Sequence, residues 1–239
     1  MVKFNEIDIT DIAPVEILNI IVEKPEVIIT AKERPVKSGV SFVRRKYGPR
    51  YVRVSFTLPV ENAIDRANYF TALDDWLNET EPKTLRLQNH DGCYLMATFF
   101  EMSEPSERDW AEELELVFEC QDPAYTSDTE YAVACGSAFG ILNKETPLWR
   151  IEATYGSSQS SPDWVLDGTY TLALSGTVGA GELIINSEDQ TIELDGTSII
   201  DQMTIASRFF KDSRGNSAMT KGAHTIVGDG TLYWRERWI

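Results

Sequence analysis

In YVRVSFTLPV, residues 51–60, every second side chain is apolar: Val52, Val54, Phe56 and Leu58 fall on one face, Arg53, Ser55 and Thr57 on the other. A period of two is that of a half-buried strand, and Pro59, which lacks a ladder donor, closes it. The same period runs through Leu114, Leu116, Phe118 and Cys120, which alternate with Glu113, Glu115, Val117 and Glu119 until Pro123. Between these runs the period lengthens. In residues 62–82, NAIDRANYFTALDDWLNETEP, Ala63, Ala67, Phe70, Leu73 and Leu77 recur at offsets of four and three, with Ile64 and Trp76 widening the stripe. That spacing predicts a helix, with Asn62 as N-cap, Asp65 in the first turn where the helix dipole favours negative charge, and Pro82 beyond its end. The stripe is expected to pack on a β-sheet.

Shorter signals fill in the rest. Val27 to Thr30 is a β-branched run bounded by prolines and charges. Asn89-His90-Asp91-Gly92 separates two strand-like runs, and its Asp-Gly pair predicts a hairpin with His90 as a solvated turn residue. From Thr126 the texture becomes small and polar, and no helical period of comparable length recurs. Short runs follow at 148–154, 169–176, 182–187, 191–194, 197–200, 205–210, 224–228 and 231–238, separated by Gly, Ser, Asn and Asp. Leu194-Asp195-Gly196-Thr197 and Val227-Gly228-Asp229-Gly230 each read as the turn of an antiparallel hairpin. The pattern predicts a mainly β chain of two domains: 1–125, β-sheet with one packed helix; 126–146, a connection; and 147–239, an antiparallel β-sandwich.

Composition fits this picture: 239 residues, 42% hydrophobic and 25% charged, can bury a real core. The N-terminus has polar residues where a signal peptide needs an apolar core, and no run approaches a membrane span, so a protein made in the cytosol is expected. A formal net charge of −16 speaks against nonspecific attraction to nucleic acid, which depends on basic surface. The local exception is RRKYGPRYVR, residues 44–53, which gathers Arg44, Arg45, Lys46 and Arg50 around a Gly-Pro turn. It reads either as a solvated loop or as a contact surface for an acidic neighbour.

The search for chemistry returns little. Cys93, Cys120 and Cys135 cannot all pair and lack CxxC spacing, which predicts buried thiols. His90 and His224 stand apart from any GxSxG, HExxH or phosphate-loop motif. No catalytic residue, cofactor or metal ligand is expected, and the abundant carboxylates read as solubilising surface. Tyr233, Trp234 and Trp238, with Trp149 and Trp164, suit either core packing or a sugar-stacking platform.

Read in order, several weak motifs add up. YVRVSFTLPV, LDDWLNETEPKTLRL, the NHDGCYLMATFF hairpin and LELVFECQDPAY, followed by TPLWRIEA, IELDGTSI, MTKGAHTI and TLYWRERW, resemble the distal tail protein family of long-tailed phages and prophages over nearly the whole chain. There are departures: His224 stands where the family often has Asn, and RFFKDSRGNSA adds residues before that turn. The resemblance implies a tail-tube-like N-terminal domain and a galectin-like C-terminal domain. It implies a structural, non-enzymatic role at the virion tail tip: a hexamer or paired hexamers, between the tail tube protein and a baseplate or fibre protein, through which DNA passes unheld. On that reading Arg44, Arg45, Lys46 and Arg50 are candidates for the contact between subunits. The rival is a non-catalytic carbohydrate-binding module for host-surface recognition; a tail-tube subunit and a glycoside hydrolase are weaker alternatives.

Overall fold

The computed structural model describes residues 1–33, 40–103, 106–108, 111–143, 145–204, 207, 209–211 and 217–239, with backbone only at 31–33, 40–45, 106–108 and 111. Internal contacts divide the chain into Met1–Tyr125 with Ile239, and Thr126–Trp238.

The first unit runs β1 (Val2–Phe4), β2 (Ile7–Asp8), α1 (Ile9–Ile12), β3 (Glu16–Val22), β4 (Val27–Glu33), β5 (Val40–Tyr47), β6 (Arg50–Pro59), α2 (Ala63–Leu77), β7 (Lys83–Leu87), β8 (Cys93–Met102), β9 (Ser106–Arg108) and β10 (Ala111–Cys120). The long strand β8 serves two antiparallel neighbours. Its first half pairs with β7, Leu95 opposite Leu85, and so joins β2 and β1; its second half pairs with β10, Phe99 opposite Phe118, and so joins β6 and β3. The alternation in β6 is realised in full, with Val52, Val54, Phe56 and Leu58 all buried. Phe4 lies 5.2 Å from Phe118, ring to ring, so a residue of β1 packs against one of β10.

Helix α2 is capped as its sequence predicts: Asn62 Oδ1 accepts from the amides of Ile64 and Asp65, at 3.0 and 2.9 Å. Its contact with the sheet is narrower than the stripe. Leu73, Trp76 and Leu77 are buried, and Trp76 donates its indole N–H to the Phe4 carbonyl at 3.1 Å, but Ala63 and Ala67 are exposed and Ile64 is 73% exposed. A stripe reports which side chains could be buried, whereas burial requires a partner surface beneath them.

The second unit comprises β11 (Tyr125–Ala134, whose first residue belongs to the first unit), β12 (Ala138–Ile141), β13 (Leu148–Tyr155), β14 (Gln159–Ser160), β15 (Asp163–Leu166), β16 (Tyr170–Ala173), β17 (Thr177–Val178), β18 (Gly181–Asn186), β19 (Thr191–Leu194), β20 (Thr197–Ser198), β21 (Gly222–Val227) and β22 (Thr231–Trp238). One sheet has the order β11-β22-β13-β18-β19-β20 and the other β12-β21-β15-β16. Their inner faces enclose Trp149, Ile151, Leu183, Ile185 and Leu232 from the first, and Phe139, Trp164, Leu166 and Leu172 from the second, an antiparallel β-sandwich.

Several expectations need correction. Residues 126–146, read as a connection, carry most of β11 and all of β12; their burial does not alternate cleanly, so the period-two signal is weak. Within 205–210, read as a strand, Phe209 and Phe210 form a turn with φ of +41° and +51°, and Phe210 packs 4.9 Å from Trp149. Two adjacent buried aromatics mimic a strand in sequence. The Asp195-Gly196 turn does close a hairpin, Leu194 opposite Thr197, but Val227-Gly228-Asp229-Gly230 does not. It carries the chain from β21 in one sheet to β22 in the other. Both glycines there adopt positive φ at points of close approach: a Cβ on Gly228 would meet the Trp164 ring, and one on Gly230 the Glu152 carbonyl.

Candidate subunit-contact surface

The basic segment is divided by the fold. Arg44, Arg45 and Lys46 lie on β5, opposite Thr30, Ile29 and Ile28 of β4 in a two-stranded ribbon. Lys46 is exposed; the side chains of Arg44 and Arg45 lie outside the described residues. Gly48 N–H donates to the Glu26 carbonyl at 2.8 Å and closes the base of the ribbon. Beyond that turn, Arg50 opens β6 and is only 5% exposed, with its guanidinium carbon 4.7 Å from the centre of the Tyr125 ring. It sits in the interior of the unit, and an inward-facing side chain cannot share the solvent-facing role expected from its neighbours in sequence. Arg53 is also committed, to Glu23 at 2.7 Å and Glu115 at 3.0 Å, and these carboxylates, Glu23 foremost, raise its pKa.

The apolar surface nearby is unusual. Strand β3 pairs with β6, and no second neighbour is described for it. Leu18 and Ile21 on β3 are exposed, as are Val27 and Ile29 on β4. Edge strands with outward apolar side chains recruit further strands or chains. A two-stranded ribbon is marginal by itself in water, so β4 and β5 gain most from an added partner. These elements were legible only in part: the run 27–30 was read as a strand, while β3 and its exposed edge were not.

Other predicted residues have structural settings. His90 is half-buried rather than solvated: it stacks on Tyr125 with centroids 4.8 Å apart, and its Nε2 lies 3.3 Å from the tyrosine hydroxyl. His224 is buried, with Nε2 2.5 Å from the Thr220 carbonyl and Nδ1 2.7 Å from Asp167 Oδ2. The other Asp167 oxygen accepts from the Thr225 amide at 2.8 Å, so the pair ties β21 to the turn after β15. That turn, Asp167-Gly168 with φ of +52° and +65°, closes the β15–β16 hairpin. Burial pushes the Cys120 thiol up to about 12 and that of Cys135 to about 11. Trp149, Trp164 and Trp234 are buried, and the Arg150 guanidinium covers the Tyr233 ring at 4.5 Å. No cluster of three or more His, Cys, Asp or Glu that could hold a metal ion occurs among the described residues.

These features define a mainly β protein made of antiparallel sheets, with few helices among the described residues. Residues 144–238 match the family model described as siphovirus-type tail component, C-terminal domain. The fold matches that of phage SPP1 Dit, described as a paradigm of the hub adsorption apparatus in phages infecting Gram-positive bacteria. The TM-score is 0.79 at 13% identity, covering 100% of this chain and 98% of that one. Structures of the phage p2 baseplate in its activated conformation also match: with Ca at a TM-score of 0.55 and 8% identity, over 96% of this chain and 92% of that one, and with Sr at 0.53 and 8%, over 97% and 92%. No curated protein sequence matches the chain.

Proposed function

We propose that this tail component forms a hexameric ring at the tail tip, the hub that joins the tail tube protein to a baseplate or fibre protein and lets DNA pass. The observation that carries the reading is the end-to-end agreement of the fold with the SPP1 hub protein, in which neither chain has a large part unmatched. The β3 edge and the β4–β5 ribbon support it, since both offer unpaired backbone and exposed apolar side chains within one unit. In this reading Arg44, Arg45 and Lys46 set the register between subunits by charge, and Arg50 serves the interior of its own unit. A C-terminal carbohydrate module has less support, because the aromatics that would stack on sugar are largely buried or covered by Arg150.

The test is the mass of the purified protein by light scattering across concentration and salt, alone and with the tail tube protein, followed by negative-stain imaging. Hexamers or paired hexamers are expected. A species that stays monomeric under all these conditions and binds glycans saturably would overturn the ring in favour of the carbohydrate module.

A further inference from the structure

Helix α2 is held by its C-terminal half and stands clear of the core by its N-terminal half. Leu73, Trp76 and Leu77 are buried, whereas Ile64, at 73%, is the most exposed of the large apolar side chains described. At about 3.6 residues per turn, Ile64, Ala67, Asn68, Thr71, Asp74 and Asp75 share the face turned away from that core, and all are exposed. The face is apolar in its first turns and acidic beyond, with an exposed Glu61 just before the cap. Glu61, Asp74 and Asp75 have no charged partner among the described residues. The one cation of the helix, Arg66, is bound to Glu112 at 2.5 Å. The β4–β5 ribbon has the opposite character: Val27 and Ile29 are exposed, Arg45 stands across from Ile29 in register, and Lys46 follows, exposed and also without a charged partner among the described residues.

Strand β6 separates the two surfaces. Its ten residues pair with β10 without a break in register, so it spans about 30 Å. The ribbon closes at Gly48, just before β6 begins, and α2 is capped by Asn62, just after it ends. Two surfaces of one chain that complement each other in charge and lie at opposite ends of a strand meet head to tail between copies, and contacts of that kind close rings.

We propose that the outward face of α2 seats the β4–β5 ribbon of a second copy of this chain. Ile64 and Ala67 pack against Val27 and Ile29 of that ribbon, while Glu61, Asp74 and Asp75 take its cations, Lys46 among them. The contact rests on the ring proposed above and names the surface that the ribbon meets there.

The test reverses each patch in turn in the full-length chain, under the conditions in which the unaltered chain assembles. One variant carries Glu61→Lys, Asp74→Lys and Asp75→Lys, the other Arg45→Glu and Lys46→Glu. Each variant alone then has two patches of like sign, and the concentration for half-maximal assembly by light scattering is expected to rise at least about tenfold. Mixed in equal amounts, the two are expected to restore rings in which they alternate, because the lysine-bearing helix meets the glutamate-bearing ribbon and the reverse. Native mass spectrometry reads equal numbers of the two in each ring. Should either variant fail to fold, carbodiimide coupling of the unaltered chain, with isotope-labelled and unlabelled copies mixed, is expected to join Lys46 to Glu61, Asp74 or Asp75 across copies. Assembly of the lysine-bearing variant at the unaltered concentration, a mixture that stays monomeric, or coupling of Lys46 only to other carboxylates would overturn the contact and leave the ring standing. An unaltered chain that assembles under none of the conditions set for the ring removes the ring, and this contact with it.

Discussion

At the scale of single residues, the second unit relies on polar groups that the fold has made specific. His224 donates through Nε2 to a carbonyl, which can only accept, and faces the Asp167 carboxylate with Nδ1. Asparagine, common at this place in the family the sequence resembles, is too short to satisfy both partners. His224→Ala should therefore destabilise the second unit by roughly 1–3 kcal/mol, the usual cost of stranding buried polar partners, and His224→Asn by less. Urea unfolding followed by Trp fluorescence measures the order. Glu130 gives a pH-dependent counterpart. Its hydrogen bond from Arg150, first among the causes, holds its carboxyl below the ordinary range despite partial burial, and Arg235 adds to this. Because the folded value is depressed, its contribution is present above the unfolded carboxylate pKa of about 4.3 and is lost as pH falls through the folded value. Glu130→Gln should cost about 1 kcal/mol at pH 7 and almost nothing in strong acid, a convergence that melting curves at several pH values would show. The thiols are simpler: with Cys120 and Cys135 pushed up to about 12 and about 11, little thiolate exists at neutral pH, and neither should be alkylated by iodoacetamide in the native protein. Rapid labelling of Cys120, detected by mass spectrometry, would contradict its burial.

Among elements, legibility tracked how strictly a segment obeys one period. β6, β10, β19 and β22 were visible because each alternates against a single core or stands between clear turns, and the N-cap of α2 was visible because one Asn side chain satisfies two amides. β3 was not, because an edge strand with Leu18 and Ile21 outward and Ile20 half-buried has no polar face to mark the period. β11 escaped because its burial does not alternate, with Tyr125, Thr126 and Ser127 all buried in succession, and the Phe209-Phe210 turn because two adjacent buried aromatics look the same in sequence as part of a strand. The basic segment shows the limit for sites: four cations close in sequence suggest one surface, yet a turn at Gly48 sends Arg50 inward while Lys46 stays out. This separation makes the ribbon testable by itself. Replacing Arg44, Arg45 and the exposed Lys46 by Glu is expected to reduce ring assembly in a salt-dependent manner while leaving the melting temperature of the monomer nearly unchanged. Unchanged assembly by light scattering would remove the ribbon charges from the contact.

For the molecule as a whole, the charge balance bears on the proposed ring, through which DNA would have to pass. Duplex DNA carries about one negative charge per 1.7 Å of axis, and protein cations bind it by releasing condensed counterions. The chain has 22 Lys and Arg against 38 Asp and Glu, and several of the cations are already spent: Arg53 on Glu23 and Glu115, Arg66 on Glu112, Arg86 on Glu6, Arg150 on Glu130 and Glu152. Internal pairing removes the very groups that would exchange with phosphate counterions. In the proposed ring, a wall of this composition would repel phosphate over the screening length of about 8 Å at physiological salt, so passage would meet no adhesive step. Assembled rings should therefore leave the mobility of a labelled duplex unchanged at 150 mM salt and at protein concentrations up to roughly 10⁻⁴ M, the range in which basic proteins already bind nonspecifically. If rings retained the duplex at micromolar concentration, with an affinity that fell steeply on adding salt, the cations of the ribbon would have to face the lumen rather than the neighbouring subunit. Repeating the assay with the Glu-substituted ribbon separates the two placements: loss of retention with assembly intact would assign those charges to the DNA path.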